Sequence, residues 1–300
     1  MNDLELLRKY EPIAHFTRGE AFFPIGVEEY VKECSLWLTD PQGQDRLLVP
    51  YGKLDVGRLV DFDEIPEDHT MHMRFVEEPL EGLAYQRWLR DPDKEKFIAS
   101  GRLARVPLAF RLFDSIFDLS FLIRGQVPGG QAAAAEIKNR TISKRDPRRV
   151  YFGRVIRQGG WIALQYLFFY SMNNWRSGFF GVNDHEADWE QIFVFLTDPE
   201  QGEPEPRWVA YASHDFKGDD LRRRWDDPQL VREGDHPVVF VGAGSHASYF
   251  EQGEYVMGTE PGFLQPAKGV VDWLRNFWNE SLGMGSGYHM ISNRAMLSVP

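Results

Sequence analysis

The sequence predicts an α+β protein: an antiparallel, jelly-roll-like β-sandwich preceded by an α-helical N-terminal portion. Three observations predict it. After Val150, short apolar runs separated by turn residues recur at 151–156, 161–170, 189–196, 207–213 and 237–241, the spacing of antiparallel strands in a sandwich or jelly roll. Between residues 79 and 124 the period is instead helical, with Phe110, Phe113, Phe117 and Phe121 at i, i+3 and i+4 spacings. A chain of 300 residues that is 43% hydrophobic and 14% aromatic holds enough core-forming material for one large domain or two unequal ones.

In chain order, residues 12–16 read as a short strand, and 27–34 as a helix with Val27, Tyr30, Val31 and Cys34 on one face. Pro24 and Gly26 punctuate the step between them. Pro107 starts or kinks the helix of the 79–124 region, whose apolar face packs on the protein's own core or, in the alternative, on a partner protein. Residues 126–149 contain Pro128-Gly129-Gly130, four consecutive alanines and the basic stretch 144–149, with no aromatic residue, and read as a linker or long loop. The expected organisation is therefore a mixed, helix-rich portion over 1–125, the linker over 126–149, and the β-sandwich over 150–300.

Charge excludes some partners. With 34 basic and 45 acidic residues the net charge is −11, which argues against nucleic acid, because phosphate binding needs a basic footprint, and disfavours anionic membrane surfaces. The one cysteine, Cys34, has no internal disulfide partner and reads as a small buried hydrophobe. The first residues lack a basic n-region and an apolar h-region, so the expected location is cytoplasmic, with peripheral membrane association compatible. The most apolar window, 161–170, is broken by Gln165 and falls short of the roughly 20 residues of a spanning helix, so no transmembrane segment is expected. The last residues, Leu297-Ser298-Val299-Pro300, carry no polar tail, as in a fragment of a longer chain.

The densest cluster of candidate ligands is Asp184-His185-Glu186-Ala187-Asp188-Trp189-Glu190, which runs straight into an apolar strand. On a strand Asp188 and Glu190 share a face with Ile192, Val194 and Leu196, while Trp189, Gln191, Phe193 and Phe195 make the other face nearly as apolar. Such a strand is expected to be central and covered on both sides. Two carboxylates at its end raise each other's pKa, and each is costly to bury unless something neutralises it. One answer is a divalent cation held by His185, Asp188 and Glu190; this oxygen-rich set suits magnesium or calcium, and also manganese, better than structural zinc. The other is ion pairing with arginines such as Arg154, Arg157 or Arg176. His214, at a strand end, and His246, in the glycine-rich turn 242–248 with Ser245, are candidates to line the same mouth. His69 and His72 have no further ligand nearby and read as surface. The 242–248 turn is neither a phosphate loop nor a nucleophile elbow.

Three ordered segments, Leu164-Gln165-Tyr166-Leu167-Phe168-Phe169-Tyr170, then His185-Glu186-Ala187-Asp188-Trp189-Glu190, then Gly244-Ser245-His246-Ala247-Ser248-Tyr249-Phe250, resemble the vacuolar protein sorting-associated protein sixty-two family over roughly residues 150–256. More distantly, His-x-x-Asp-Trp-Glu resembles the necrosis-inducing-protein-like toxins, whose His-Arg-His-Asp-Trp-Glu motif holds a divalent cation in a lectin-like β-sandwich. That resemblance implies metal-binding roles for His185, Asp188 and Glu190. It also implies that Asn173 stands where the toxins carry a further aspartate. Glu186-Ala187 replaces the toxins' Arg-His pair, so toxin activity is not implied.

Three functions compete. The first is a cation-dependent binding module that recognises a sugar or lipid headgroup at a mouth lined by Asn173, His185, Asp188, Glu190, His214, Ser245 and His246. Trp175 and Trp225 are weighed there between stacking surface and core, and Trp161 is expected in the core. The second is a metal-dependent hydrolase with His214 or His246 as general base. The third is a trafficking or structural scaffold whose ligand cluster only stabilises the fold and whose 79–124 region binds a protein partner.

Overall fold

The computed structural model describes residues 2–60, 62, 65–92, 129–174, 184–198, 202–212, 222–252, 254–258 and 291–296. In chain order the elements are α1 (Asp3–Lys9), β1 (Ile13–His15), α2 (Val27–Lys32), β2 (Ser35–Thr39), β3 (Asp45–Val49), α3 (Val56–Val60), β4 (Thr70–Arg74), α4 (Gly82–Leu89) and α5 (Gly129–Arg145). The strands β5 (Tyr151–Gln158), β6 (Trp161–Asn173), β7 (His185–Thr197), β8 (Pro206–Tyr211) and β9 (Arg222–Arg224) follow. The last are β10 (Arg232–Glu233), β11 (His236–Val241), β12 (Ser248–Tyr249), β13 (Glu254–Gly258) and β14 (Ile291–Met296). The content is mixed α+β, mostly strand, and the pairing is antiparallel except for β1, which runs parallel to β11.

The centre is a five-stranded meander in the order β5-β6-β7-β8-β9, so the strand carrying the carboxylates is the middle one, as expected. Alternation sets its faces. Leu164, Tyr166, Ile192, Val194, Val209 and Tyr211 point to one side and are almost fully buried there. They pack against Leu6 and Tyr10 near the N-terminus and against Val239 and Val241 of β11. Each aliphatic side chain so removed from water contributes about 1.5–3 kcal/mol. Helix α1 starts with a capping box between Asn2 and Glu5 and is held to this face by Leu6 and Leu7 and by the Tyr166 hydroxyl, which donates to the Leu7 carbonyl at 2.9 Å. Gly153 on β5 is small because a Cβ there would come 2.7 Å from a methyl of Leu7.

The opposite face is covered only at one end. Phe169 and Met172 join a second core with Tyr30, Phe75 and the alanines of α5, whereas Phe193 and Phe195, further along β7, remain partly exposed. The expectation that this strand is covered on both sides therefore holds at its start and fails beyond it.

One further expectation is corrected. The segment 126–149 is not a loop over its length: Gly129–Arg145 is a helix that buries Ala132, Ala133, Ala135, Asn139 and Ile142. Alanine is the strongest helix former, and a strip of small side chains lets the helix lie close on β6. Gly130 lets the start of the helix lie against the segment before α4, since a Cβ there would sit 2.0 Å from the Leu80 carbonyl oxygen. Pro147 follows the last turn, where the residue before a proline is pushed out of helical geometry. In the N-terminal portion the described helices are short, and β3-β2-β4 form a three-stranded sheet beside them. Most of the predicted 79–124 helical region lies outside the described residues; its described part is α4. Cys34 is buried as expected, its thiol directed at the Tyr30 carbonyl and pushed up to about 12 by burial. Among the described residues no helix is long and apolar enough to cross a membrane.

Candidate functional site

The candidate residues gather where β6 ends, β7 begins and the turn after β11 folds over them. A regular strand would put His185 and Asp188, three residues apart, on opposite faces. The structure puts them on one face, with His185 Nε2 3.4 Å from Asp188 Oδ1. The reason is Ala187, which takes a left-handed φ of 61° inside the strand. Pairing with β6 keeps its register across this point, from Tyr170↔Asp188 to Met172↔Glu186, but the side chains change sides. Glu186 consequently turns to the other face, where it accepts the Phe75 and Val76 amides at 2.7 and 2.9 Å and the Gln131 amide at 2.6 Å.

His246 takes the second left-handed conformation at the site, φ 57°, in a turn closed by Gly242 N donating to Ala247 O at 2.8 Å. The turn is fastened to β6 by Asn174 N donating to Gly244 O at 2.8 Å. Left-handed non-glycine backbone is costly, and the two instances flank one carboxylate, Asp188. His246 is fully buried, its ring stacked on Tyr170 at 3.8 Å between centroids and 1° between planes. Its Nδ1 lies 2.8 Å from Asp188 Oδ2, and its Nε2 lies 3.8 Å from Glu20 Oε1, an ion-pair separation. Glu20 is itself anchored, accepting the backbone amides of Ala21, Phe22 and Gly244 at 2.9, 3.0 and 2.9 Å.

The electrostatics follow from these contacts. Burial disfavours the charged form of His246, but the hydrogen bond to Asp188 and the facing Glu20 outweigh it and raise its pKa to about 9. Burial likewise pushes Asp188 up, and contacts with His185 and His246 overcome it and hold the carboxylate well below its usual range. Glu190 differs: it is buried, makes no hydrogen bond or ion pair with a described residue, and is pushed well above the usual range by burial and then by Asp188.

Asn173 Oδ1, Asn174 Oδ1, Ser245 Oγ and His246 Nε2 are buried here without a hydrogen bond from a described residue. Asn173 spends its amide nitrogen on Asp188 Oδ2 at 3.2 Å and the Ser245 carbonyl at 3.3 Å. Buried polar atoms left unpaired are uncommon and costly. As a donor set, the carboxylate oxygens of Asp188 and Glu190 with these amide and hydroxyl oxygens have the hard character that magnesium or calcium prefers. The His185–Asp188–Glu190 trio is not a ready-made shell, however. Among the described residues, no three of His, Cys, Asp and Glu are grouped to hold a metal ion.

Of the predicted site residues, Asn173, His185, Asp188, Glu190, Ser245 and His246 come together, while Trp175 and His214 lie outside the described residues. Trp161 starts β6, at the far end from Asn173, and is 41% exposed, so it is neither core nor site. Trp225 packs edge-on against Tyr10 in the first core. The proposed arginine partners do not serve either carboxylate: Arg157 pairs with Asp3, Arg154 forms no ion pair with a described residue, and Arg176 is outside the described residues. Glu20 and Tyr170 were not foreseen. Glu20 sits alone in an irregular N-terminal segment with no local signal, and Tyr170 reads from sequence as one more apolar strand residue.

No family model and no curated protein matches this chain. A solved structure that does, the crystal structure of the non-toxic HaNLP3 protein, is 18% identical with a TM-score of 0.24 and covers 30% of this chain. The chain spans 39% of that protein's length, and so partial a likeness carries no argument about fold or function.

Proposed function

We propose that the chain is a binding module in which the end of β6 and β7 takes a divalent cation, magnesium or calcium before manganese, and through it a sugar or lipid headgroup. The carrying observation is Glu190, a carboxylate buried two residues from Asp188 on the same strand face with no described partner. A cation would relieve the repulsion between the two carboxylates and satisfy Asn173 Oδ1 and Ser245 Oγ, which have no hydrogen-bond partner among the described residues. Asp188, Glu190, Asn173 and Ser245 would hold it. His185, whose side chain is more than half exposed, would close over it. In the same proposal the molecule is a β-sandwich. What supports this is the shared core between the five-stranded sheet and β11, with Val239 and Val241 packed on Ile192, Val194 and Val209.

The hydrolase alternative loses one of its bases. A general base must reach the proton it removes, and His246 is fully buried between two carboxylates. A purely structural cluster is the second reading, favoured by the self-contained bridge from Glu20 through His246 to Asp188 and by the lack of a three-residue metal group among the described residues.

Calorimetric titration of chelator-treated protein with Mg²⁺, Ca²⁺ and Mn²⁺, followed by glycan-array and liposome-flotation binding with and without chelator, separates these readings. The proposal expects one cation per chain and ligand capture that chelator abolishes. Absence of binding heat for every cation, or capture that chelator leaves unchanged, establishes the structural reading instead.

A further inference from the structure

The open face of the five-stranded sheet is a groove of about 690 Å³, lined by Ile156, Trp161, Phe195, Trp208 and Arg222 among others. The strand register lays its side chains out in rows. One row runs Arg154↔Gln165↔Phe193↔Ala210↔Arg222 across all five strands, and the next runs Ile156↔Ala163↔Phe195↔Trp208↔Arg224. The centre is therefore aromatic, with the Phe193 and Phe195 rings stacked at 5.7 Å and Trp208 beside them, 38% exposed. Amides border it, Gln165 Nε2 donating to Gln191 Oε1 at 2.9 Å. An arginine stands at each end of the first row, and neither Arg154 nor Arg222 forms an ion pair with a described residue, whereas Arg224 is neutralised by Asp226. Four inter-strand spacings separate those two arginines, about 19 Å.

We propose that this face binds an acidic oligosaccharide, extended across the strands with its sugar rings on the aromatic centre and its anionic groups on Arg154 and Arg222. Flat rings stack on Phe and Trp faces, side-chain amides match hydroxyls, and a guanidinium fork matches a carboxylate or sulfate. Two exposed guanidinium groups without an ion pair to a described residue, on a chain of net charge −11, are a local charge complement to an anion. They are too few for a nucleic acid, whose binding needs a broad basic footprint. The length of the row suits an oligomer rather than one sugar. The surface is on the opposite face from Asp188 and needs no cation, so it stands or falls independently of the cation module.

The test is quenching of intrinsic tryptophan fluorescence, in the presence of chelator, by polygalacturonate and heparin-derived tetrasaccharides, with a neutral glucan tetrasaccharide and a single-stranded deoxythymidine oligomer as comparators. The proposal expects an acidic tetrasaccharide to bind at least about tenfold more tightly than either comparator. It expects Trp208→Ala to weaken binding about tenfold, and Arg154→Gln and Arg222→Gln about fivefold or more each. All three side chains are exposed, so their circular dichroism should match wild type. Equal affinity for the neutral sugar, tighter binding of the oligonucleotide, no binding at all, or unchanged affinity in both arginine variants would overturn it.

Discussion

The Nδ1 atom of His246 lies 2.8 Å from Asp188 Oδ2, at full burial, which makes this pair the keystone of the site. Removing one member of a buried charged pair leaves the other uncompensated, at about 3–5 kcal/mol. His246→Ala and Asp188→Asn are each expected to lower stability in urea unfolding by about 3 kcal/mol, and the double variant by clearly less than the sum. Additive losses would mean that the contact is not the source of the cost.

Glu190→Gln should behave in the opposite way. Burial and the neighbouring Asp188 push the pKa of Glu190 well above its usual range and so favour the neutral carboxyl, which glutamine closely imitates in size. The metal-free variant is expected within about 0.5 kcal/mol of wild type, yet to have lost cation binding. A metal-free loss above about 2 kcal/mol would instead indicate that the ionised carboxylate has a structural partner.

The left-handed backbone at Ala187 predicts an order of tolerance. Glycine adopts φ 61° without a Cβ penalty, whereas a β-branched residue is a severe outlier there. Urea midpoints should rank Ala187→Gly at or near wild type and Ala187→Val at least about 1–2 kcal/mol below it. Valine should also loosen the Glu186 contacts with Phe75 and Val76, detectable as faster amide hydrogen exchange at those two residues.

Away from the site, Glu33 ties α5 to α2 and predicts a pH dependence. Burial raises its pKa, but hydrogen bonds from Tyr51 and Arg145 outweigh this and leave it lowered. A carboxylate depressed in the folded state contributes stability above its unfolded pKa and loses it as pH falls through the folded value. Glu33→Gln is expected to cost about 1–2 kcal/mol at pH 7, with the gap from wild type constant down to about pH 4.5 and closing below it. A gap that widens on acidification would contradict the assignment.

Much of this was legible before the structure. Strands β5, β6, β7, β8 and β11 fall on the apolar runs 151–156, 161–170, 189–196, 207–213 and 237–241, because runs that supply a sheet's buried side chains stand out between turn residues. Helix α5 was not legible as such. Pro128-Gly129-Gly130 and the basic stretch 144–149 outweighed the four alanines in the reading, although those alanines are what a helix pressed close to a sheet needs. At the site, local spacing placed Asp188 and Glu190 on one face correctly. It could not reveal that Ala187 brings His185 to that face, since alanine gives no sign of a left-handed backbone. Nor could it pair His246 with Glu20, a contact between distant parts of the chain that only the tertiary fold creates.

The central claim, a cation site built on Asp188 and Glu190, is tested most directly by thermal unfolding of wild type and Glu190→Gln, each after chelation and then with millimolar Mg²⁺, Ca²⁺ or Mn²⁺. Glu190→Gln is the better comparator because Asp188→Asn also breaks the contact with His246. A cation at about 100 times its dissociation constant adds roughly 2.7 kcal/mol, a rise of about 5 °C for a chain of this size. The account predicts that rise with at least one cation in wild type and none in Glu190→Gln, with equal melting temperatures after chelation. No rise with any cation, or the same rise in both proteins, would contradict it.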